Sequence, residues 1–243
     1  MHKLITKLKQ AKHCVVFTGA GASTLSGIRD FRGKNGIYKE YDAEKVFSID
    51  NFMYNPSEFY KIARTFFYNL DEKEPNIVHT ECARLESLGI VNRVITQNID
   101  MLHQKAGSKE VVEVHGSPHT HSCLDCNKKF PFMQISEMLK TCDVPYCDSC
   151  NGLIKPDVTF FGEPLPAHAI QTAVYEASRA DLLFILGTTL VVYPAASLPM
   201  YTLQNGGEIV IVNNQPTPFD GHASLRYESL EEVFEYIRKN LQS

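Results

Sequence analysis

The stretch Cys14-Val-Val-Phe-Thr-Gly-Ala-Gly-Ala-Ser-Thr24 decides the fold. Its first five residues are an apolar run rich in β-branched side chains, and two glycines in a Gly-x-Gly spacing follow directly. A strand that ends in such a turn before a helix start lets the backbone approach a pyrophosphate and offers it N–H groups. The stretch therefore predicts a strand, a phosphate-binding turn and a helix start, although a Gly-x-Gly turn alone can also be no more than a tight connection.

Apolar runs and amphipathic segments alternate along the rest of the chain. The runs are typical of strands buried on both faces, and they cover residues 14–18, 91–96, 111–114, 182–186 and 209–212. The segments with helical periodicity cover residues 3–12, 77–88, 167–180, 195–203 and 230–241. Strands that alternate with helices predict an α/β fold with a parallel sheet covered on both sides.

The glycine turn departs from the usual dinucleotide fingerprint. Thr24 stands where that fingerprint has its third glycine, and the acidic residue expected about 20 positions further on is missing. These departures argue against a hydride-transferring dehydrogenase but not against a dinucleotide. Reversible formation of NADH would distinguish a dehydrogenase from an enzyme that consumes NAD.

Two segments interrupt the alternation of strands and helices. Residues 34–76 are rich in aromatic side chains and predict a helical insertion, while residues 120–153 carry two Cys-x-x-Cys pairs. We expect these two segments to form a small domain. The large domain then consists of residues 1–33, 77–119 and 154–243.

The two Cys-x-x-Cys pairs, Cys123/Cys126 and Cys147/Cys150, predict a structural zinc site. Twenty residues separate the pairs, which is the usual spacing for four thiolate ligands. Four thiolates close the coordination shell, so the metal would take no part in chemistry. The alternatives are four unrelated core cysteines, a catalytic metal, or a zinc ribbon that binds nucleic acid. The last is disfavoured because residues 120–153 hold three lysines against four carboxylates, a net charge of −1.

Polar residues follow four of the predicted strands, at the edge where open α/β sheets bind their ligands. His115 is the only one with an ordinary pKa near neutrality, which favours it as the general base. The polar sets are Gln97-Asn98-Ile99-Asp100, His115-Gly116, Gly187-Thr188-Thr189 and Asn213-Asn214.

The composition indicates a globular protein that buries a core. Of its 243 residues 44% are hydrophobic and 21% charged, and the net charge of −4 gives no general attraction to nucleic acid or anionic lipid. The apolar runs are far shorter than the ~20 residues of a membrane span, and no signal-peptide pattern follows Met1. We therefore expect a cytoplasmic protein, monomeric and without membrane or nucleic-acid partners.

Taken together, the ordered motifs resemble the sirtuins, a family of NAD-dependent protein lysine deacylases, over roughly residues 10–240. Besides the sets above, the resemblance rests on Gly19-Ala-Gly-Ala-Ser23, Gly27-Ile-Arg-Asp-Phe-Arg-Gly33, Phe161-Gly-Glu163, Pro194-Ala-Ala196 and the four cysteines. It implies a Rossmann-type large domain, a small domain with a zinc ribbon, and a cleft between them for NAD and an acylated lysine.

The resemblance also implies roles for individual residues. His115, Asn98 and Asp100 would be catalytic, with His115 acting on a ribose hydroxyl after nicotinamide leaves. The residues implied to bind NAD are Gly19, Ala20, Gly21, Ser23, Thr24, Asp30, Phe31, Arg32, Gln97, Asn98, Ile99, Asp100, His115, Gly187, Thr188, Thr189, Asn213 and Asn214. The substrate peptide would lie as an added strand between two segments that contain Thr159, Phe161, Gly162, Glu163, Val191 and Val192.

Three positions depart from the family pattern. Arg29 replaces the usual proline, so we expect a more mobile cofactor loop or a further cation near phosphate. Thr159 replaces an aliphatic residue beside the acyl-lysine tunnel. Succinyl-removing sirtuins carry a Tyr and, three residues later, an Arg, whereas here Tyr68 is followed by Asp71. Since a carboxylate repels an acidic acyl group, we expect neutral acyl groups to be preferred.

Overall fold

The computed structural model describes residues 1–31, 33, 36–37, 40 and 42–241, with the side chain of Phe66 left out. In chain order its elements are α1 (His2–Gln10), β1 (Cys14–Thr18), α2 (Ala43–Val46), α3 (Ile49–Tyr54), α4 (Pro56–Phe66), α5 (Ile77–Ser87), β2 (Val91–Thr96), α6 (Leu102–Lys105), β3 (Val111–Glu113), β4 (Gly116–Cys123), β5 (Lys129–Pro131), α7 (Phe132–Met138), β6 (Ile154–Val158), α8 (Ala167–Arg179), β7 (Leu182–Leu186), α9 (Leu198–Gln204), β8 (Glu208–Val212), β9 (Leu225–Tyr227) and α10 (Leu230–Asn240).

The large sheet is parallel and, within the described residues, has six strands in the order β3-β2-β1-β7-β8-β9. This confirms the predicted fold class, and β1, β2 and β7 match their predicted limits. The edge strand β9 was missed, because its three half-buried residues form no apolar run. The predicted helix at 195–203 is in fact a 3₁₀ turn, Ala195–Ser197, followed by α9. Pro199 lacks the N–H that a continuous α-helix would donate to Ala195.

The central strands β1 and β7 of the large sheet are buried on both faces, which explains their continuous apolar runs. Alternate residues of β1 point to opposite sides: Cys14 and Val16 belong to one hydrophobic cluster, Val15 and Phe17 to the other. The first cluster includes α1, α5 and α10, and the second includes α8 and α9. Because both faces of the sheet are covered, a ligand approaches it at the carboxyl ends of the strands.

A second, antiparallel sheet with the order β5-β4-β6 carries the cysteines. Its core is largely aromatic and is shared with the helical insertion, since Phe52 and Phe59 of α3 and α4 both contact Phe160. The Tyr60 hydroxyl donates to the carbonyl of Ile154 at 2.5 Å. This sheet begins and ends outside residues 120–153 and was not predicted, because its strands are short and mostly polar. The division into two domains stays a prediction.

Candidate active site

A cavity of about 1020 Å³ lies where strands β1, β2, β7 and β8 end, and the loop after β6 also contributes to its wall. It brings together nearly all of the predicted site residues. These are Gly19, Ala20, Gly21, Thr24, Asp30, Phe31, Gln97, Asn98, Ile99, Asp100, His115, Thr159, Phe161, Gly162, Glu163, Gly187, Thr188, Thr189, Val191, Val192, Asn213 and Asn214.

Two predicted cofactor residues stand apart from that set. Ser23 is fully buried, and its hydroxyl faces Asp100 and Asn98 behind the cavity wall. Arg32 lies outside the described residues. The NAD-binding role of each stays a prediction.

The glycines of the first turn are required by close packing of two loops. A Cβ on Gly21 would lie 2.8 Å from the Cα of Gly187, and a Cβ on Gly187 would lie 2.3 Å from the backbone nitrogen of Ala22. Gly187 also has a φ of +62°, which favours glycine. The backbone N–H of Gly21 donates to the carbonyl of Gly187 at 2.8 Å. These contacts leave a smooth backbone surface of the kind that a pyrophosphate requires.

The segment after Gly19, where the sequence predicts a helix start, is a 3₁₀ helix, Ala20–Ser26. Ala22 N–H donates to the carbonyl of Gly19 at 2.9 Å, and the Thr24 hydroxyl donates to the carbonyl of Gly21. Gly27 then ends the helix in the left-handed conformation. The contact with Gly187 holds Gly21, in the first turn of this helix, against the neighbouring loop.

The imidazole ring of His115 is oriented by a contact with the backbone. Its Nδ1 lies 2.8 Å from the carbonyl oxygen of Gln97, and a carbonyl only accepts, so Nδ1 carries the hydrogen. The neutral ring therefore offers the lone pair of Nε2 as a base. Burial lowers the pKa of His115 below its ordinary value, which keeps the ring neutral near pH 7.

Asn98 is held by both hydrogens of its amide. Nδ2 lies 3.1 Å from the carbonyl oxygen of Gly19 and 3.0 Å from the Ser23 hydroxyl. The Gly19 carbonyl can only accept, which fixes the amide nitrogen on that side. Asn98 therefore offers its Oδ1 oxygen, an acceptor, to the cavity.

A buried network holds Asp100 from behind. The Ser23 hydroxyl donates to Asp100 Oδ2 at 2.5 Å, and the backbone N–H of Leu102 donates to Oδ1. His79 Nδ1 accepts from the backbone of Asn76, so its Nε2 carries a hydrogen toward Ser23 at 3.3 Å. Burial lowers the pKa of His79 to about 4. The hydroxyl of Ser23 thus has one acceptor and two donors around it, and its orientation is fixed.

Arg29 lines the cavity and also forms an ion pair on the protein surface, so its contact with phosphate stays a prediction. Its guanidinium makes two 2.9 Å contacts with the carboxylate of Glu40. Asp30 in the same loop accepts the backbone N–H of Gly33 and lines the cavity. The expected mobility of the cofactor loop stays a prediction.

The alignment of Tyr68 and Asp71 with the acyl-recognition pair is wrong. Tyr68 is buried in the aromatic core, where its hydroxyl lies 2.9 Å from His121 Nε2. Asp71 is exposed to solvent. The residues of this segment that line the cavity are Phe67 and Leu70, one position earlier. An i, i+3 spacing alone could not fix the register, because three aromatic residues follow one another here.

The four cysteines lie close enough to share one metal ion. Their Sγ atoms are all within 4.8 Å of one another, and Cys123 lies 3.4 Å from Cys150, as Cys126 lies 3.7 Å from Cys147. Tetrahedral zinc with Zn–S bonds of about 2.3 Å requires sulfur atoms about 3.8 Å apart. The donor set therefore fits structural zinc.

Each Cys-x-x-Cys pair is followed by an asparagine in the left-handed conformation. Asn127 has a φ of 59° and Asn151 a φ of 60°, and each donates its backbone N–H to the first cysteine of its pair. Asparagine adopts this conformation more readily than most residues. The repeated Cys-Asn dipeptide was a visible sequence signal for the two turns.

The sequence predicted the helix over 230–241 but not its place in the site, where residues 228–231 line the cavity beyond Asn213. Ser229 caps this helix by accepting the backbone N–H of Glu232 at 3.2 Å. The Ser-x-x-Glu pattern at 229–232 marked the helix start. Its position beside the cavity depends on β9, the strand that the sequence did not reveal.

Comparisons with known proteins agree on one family. A model of the Sir2 family matches residues 19–194. An NAD-dependent protein deacetylase from Thermotoga maritima is 46% identical over 100% of this chain and 97% of its own length. NAD-dependent protein deacylase 2 from Archaeoglobus fulgidus is 45% identical over 88% of this chain and 84% of its own length.

Solved Sir2 structures share the fold. A Sir2 variant with a deacetylated p53 peptide and 3'-O-acetyl-ADP-ribose superposes with a TM-score of 0.96 at 45% identity, covering 100% of this chain and 99% of that one. Sir2 with a p53 peptide and NAD⁺ superposes with a TM-score of 0.93 at 44% identity, covering 98% and 97%.

Proposed function

Because this chain belongs to the Sir2 family, the sirtuins, we propose how its own residues carry out the reaction of that family. The chain is an NAD-dependent protein lysine deacetylase that yields nicotinamide, O-acetyl-ADP-ribose and the free lysine. The observation that carries the roles of individual residues is the contact of His115 Nδ1 with Gln97 inside the cavity. It provides a neutral base whose Nε2 is available to a substrate.

Bound NAD supplies a ribose carbon that accepts the acyl oxygen as nicotinamide leaves. His115 removes a proton from a ribose hydroxyl through Nε2, and its fixed tautomer makes it ready for this step. Asn98 orients the ribose or a water molecule through Oδ1. Asp100, held by Ser23, fixes the nicotinamide side of the cavity. The turn from Gly19 to Gly21, packed on Gly187, receives the pyrophosphate.

The four cysteines would hold structural zinc, which supplies cross-linking between the two Cys-x-x-Cys turns and no catalytic chemistry. The peptide substrate enters beside the segments 159–163 and 191–192. The main chain of Phe161 already pairs with the segment 47–49, through Phe47 and Ile49. This pairing supports a wall against which a peptide can lie as an added strand.

The first experiment follows an acetyl-lysine peptide by mass spectrometry with and without NAD. We expect loss of the acetyl mass only with NAD, together with equal amounts of nicotinamide and O-acetyl-ADP-ribose. Transfer of ADP-ribose to protein with no loss of acetyl groups would contradict the proposal. Reversible formation of NADH, which absorbs in the near ultraviolet where NAD⁺ does not, would indicate a dehydrogenase instead.

We propose that neutral acyl groups are preferred over succinyl. Phe67 and Leu70 present apolar surface to the cavity, and a carboxylate buried against such a surface loses its hydration. Succinyl-lysine in a matched peptide should therefore react at least about tenfold more slowly than acetyl-lysine. Propionyl-lysine serves as the control for acyl size. Faster turnover of succinyl-lysine would overturn this preference.

We further propose a cytoplasmic monomer that does not bind nucleic acid. Four free thiolates require a reducing compartment to keep their metal, and His115, Asn98 and Asp100 all come from one chain. The negative charge of residues 120–153 disfavours a phosphate backbone. No helix within the described ranges is long and apolar enough to span a bilayer. The separate clusters on the large sheet and in the small module support the two-domain division.

A further inference from the structure

Lys155 in β6 is an unusual residue because it is a lysine that is only 7% exposed. Its Nζ lies 2.7 Å from the carbonyl oxygen of Val158, 3.2 Å from that of Pro156 and 2.9 Å from Glu163 Oε2. An ammonium group has three hydrogens, and these three acceptors use all of them. Neither the proposed chemistry nor the zinc site requires a cation here.

The contacts of Lys155 close the loop at residues 158–163 around its ammonium group. Nζ lies 4.1 Å from the centre of the Phe160 ring, in a cation–π arrangement. Glu163 Oε2 also accepts the backbone N–H of Phe160 at 2.8 Å, and the backbone N–H of Glu163 donates to the carbonyl of Phe160. Glu163 thus turns its carboxylate back into its own loop.

The outer side of the same loop forms part of the cavity wall. All residues of the loop from 158 to 163, Glu163 included, line the cavity, and Phe161 is 37% exposed. Phe161 donates its backbone N–H to Phe47 and accepts the N–H of Ile49, so the loop is held on that side as well. The loop is thus held on one side by these backbone contacts and on the other by Lys155, and together they fix the cavity wall beside the peptide.

We propose that Lys155 is a positioning residue for the acylated peptide, acting through the loop at residues 158–163. This inference rests on the proposed function. Lys155 sets how well the wall receives the peptide backbone without touching the peptide itself. The side chains of His115 and Asn98 are oriented by Gln97, Gly19 and Ser23. The loop reaches His115 at its main chain, where the carbonyl accepts the backbone N–H of Thr159 at 2.8 Å. Because this contact is away from the imidazole ring, the chemical step should depend on Lys155 less than peptide binding does.

Removal of the charge tests this role with Lys155→Met, which keeps the length of the side chain. We expect the Kd and KM of an acetyl-lysine peptide to rise about tenfold. Glu163 loses its ion pair, and the carbonyls of Pro156 and Val158 lose the ammonium group that donates to them. The kcat and the KM for NAD should stay within about twofold of the parent values. Kd is measured by anisotropy of a fluorescein-labelled acetyl-lysine peptide, which needs no turnover.

Three further variants separate positioning from general damage. Lys155→Arg should restore the peptide Kd to within about threefold, because it returns the positive charge. Glu163→Gln should raise the peptide Kd, and the double variant Lys155→Met with Glu163→Gln should bind better than Lys155→Met alone, because it leaves no unpaired charge. Glu163→Gln keeps Lys155 on two carbonyls, so it remains informative if Lys155→Met does not fold.

An unchanged peptide Kd in both Lys155→Met and Glu163→Gln overturns the inference, as does a fall in kcat with the peptide KM unchanged. The proposed function fails separately, if the parent protein neither binds nor deacetylates the peptide. Melting temperatures of all variants identify any loss of folding.

Discussion

His115→Ala is expected to lower kcat for deacetylation by about 10²–10⁴-fold, the range for loss of a positioned general base. The contact that gives this result is the one between Nδ1 and the Gln97 carbonyl, which makes Nε2 the basic atom. Binding of NAD should persist, because the glycine turn and Asn98 are held by other contacts. Exchange of labelled nicotinamide into NAD should also persist, since His115 acts after nicotinamide leaves.

His119→Ala provides the matched control, because His119 is an exposed histidine on β4, close to His115 in sequence. Its kcat should equal that of the parent. If His115→Ala keeps full deacetylase activity, another group is the base and the assigned mechanism is wrong. If it loses nicotinamide exchange together with deacetylation, His115 acts before the step proposed for it.

The pH profile gives an independent check on the same residue. The basic form of His115 is the neutral ring, so kcat/KM falls as acid protonates it. Because burial lowers the pKa of His115 from its ordinary 6.5, the midpoint of that fall should lie below pH 6.5. His115→Ala should lose this acid limb along with most of its activity. A midpoint above pH 6.5 would contradict the lowered pKa of the half-buried His115.

Removal of zinc is expected to unfold the small module and to abolish deacetylation. Structural zinc in small domains contributes about 10–16 kcal/mol of folding free energy, comparable to the whole stability of a domain. Cys126→Ser removes one of the four clustered thiolates. Metal analysis should then find no bound zinc, circular dichroism should show lost structure, and peptide turnover should vanish.

Cys142→Ser is the matched control, because Cys142 is half-buried in the same module but lies outside the four-cysteine cluster. It should retain one zinc per chain and parent activity. Activity that survives complete removal of zinc from Cys126→Ser would show that the site is dispensable. Recovery of activity when zinc is returned to the chelated parent would show that the loss comes from the metal itself.

The sequence indicated most of the large sheet because its central strands are buried on both faces. A short, continuous apolar run such as β1 or β7 that ends at a glycine or polar residue has few possible structures other than a buried strand. The antiparallel sheet was not visible for the opposite reason: β4 alternates histidine, serine and threonine with only a few buried residues. The cysteines and the aromatic core hold these strands; the Cys-x-x-Cys spacing marked the metal site but not the strands around it.

In the active site too, some features could be predicted from the sequence and others could not. His115 and Asn98 follow strand ends, so the parallel topology alone brings them together. The contacts that orient them could not be predicted, since Gln97 presents a backbone carbonyl and Ser23 acts from behind the wall. Phe67 and Leu70 were missed because consecutive aromatics leave the register of the insertion open. Lys155 carried no signal, since an isolated lysine is ordinarily exposed.

β1 is synthesised early, but one of its two neighbours in the sheet is synthesised late. Cys14 pairs with Val91 of β2 on one side and with Leu182 of β7 on the other. Until β7 leaves the ribosome, a strand that is wholly buried in the finished protein keeps one edge open. Open apolar edges pair with other chains. A nascent or truncated chain that ends before Leu182 is thus a target for chaperones and aggregation, not a partly active enzyme.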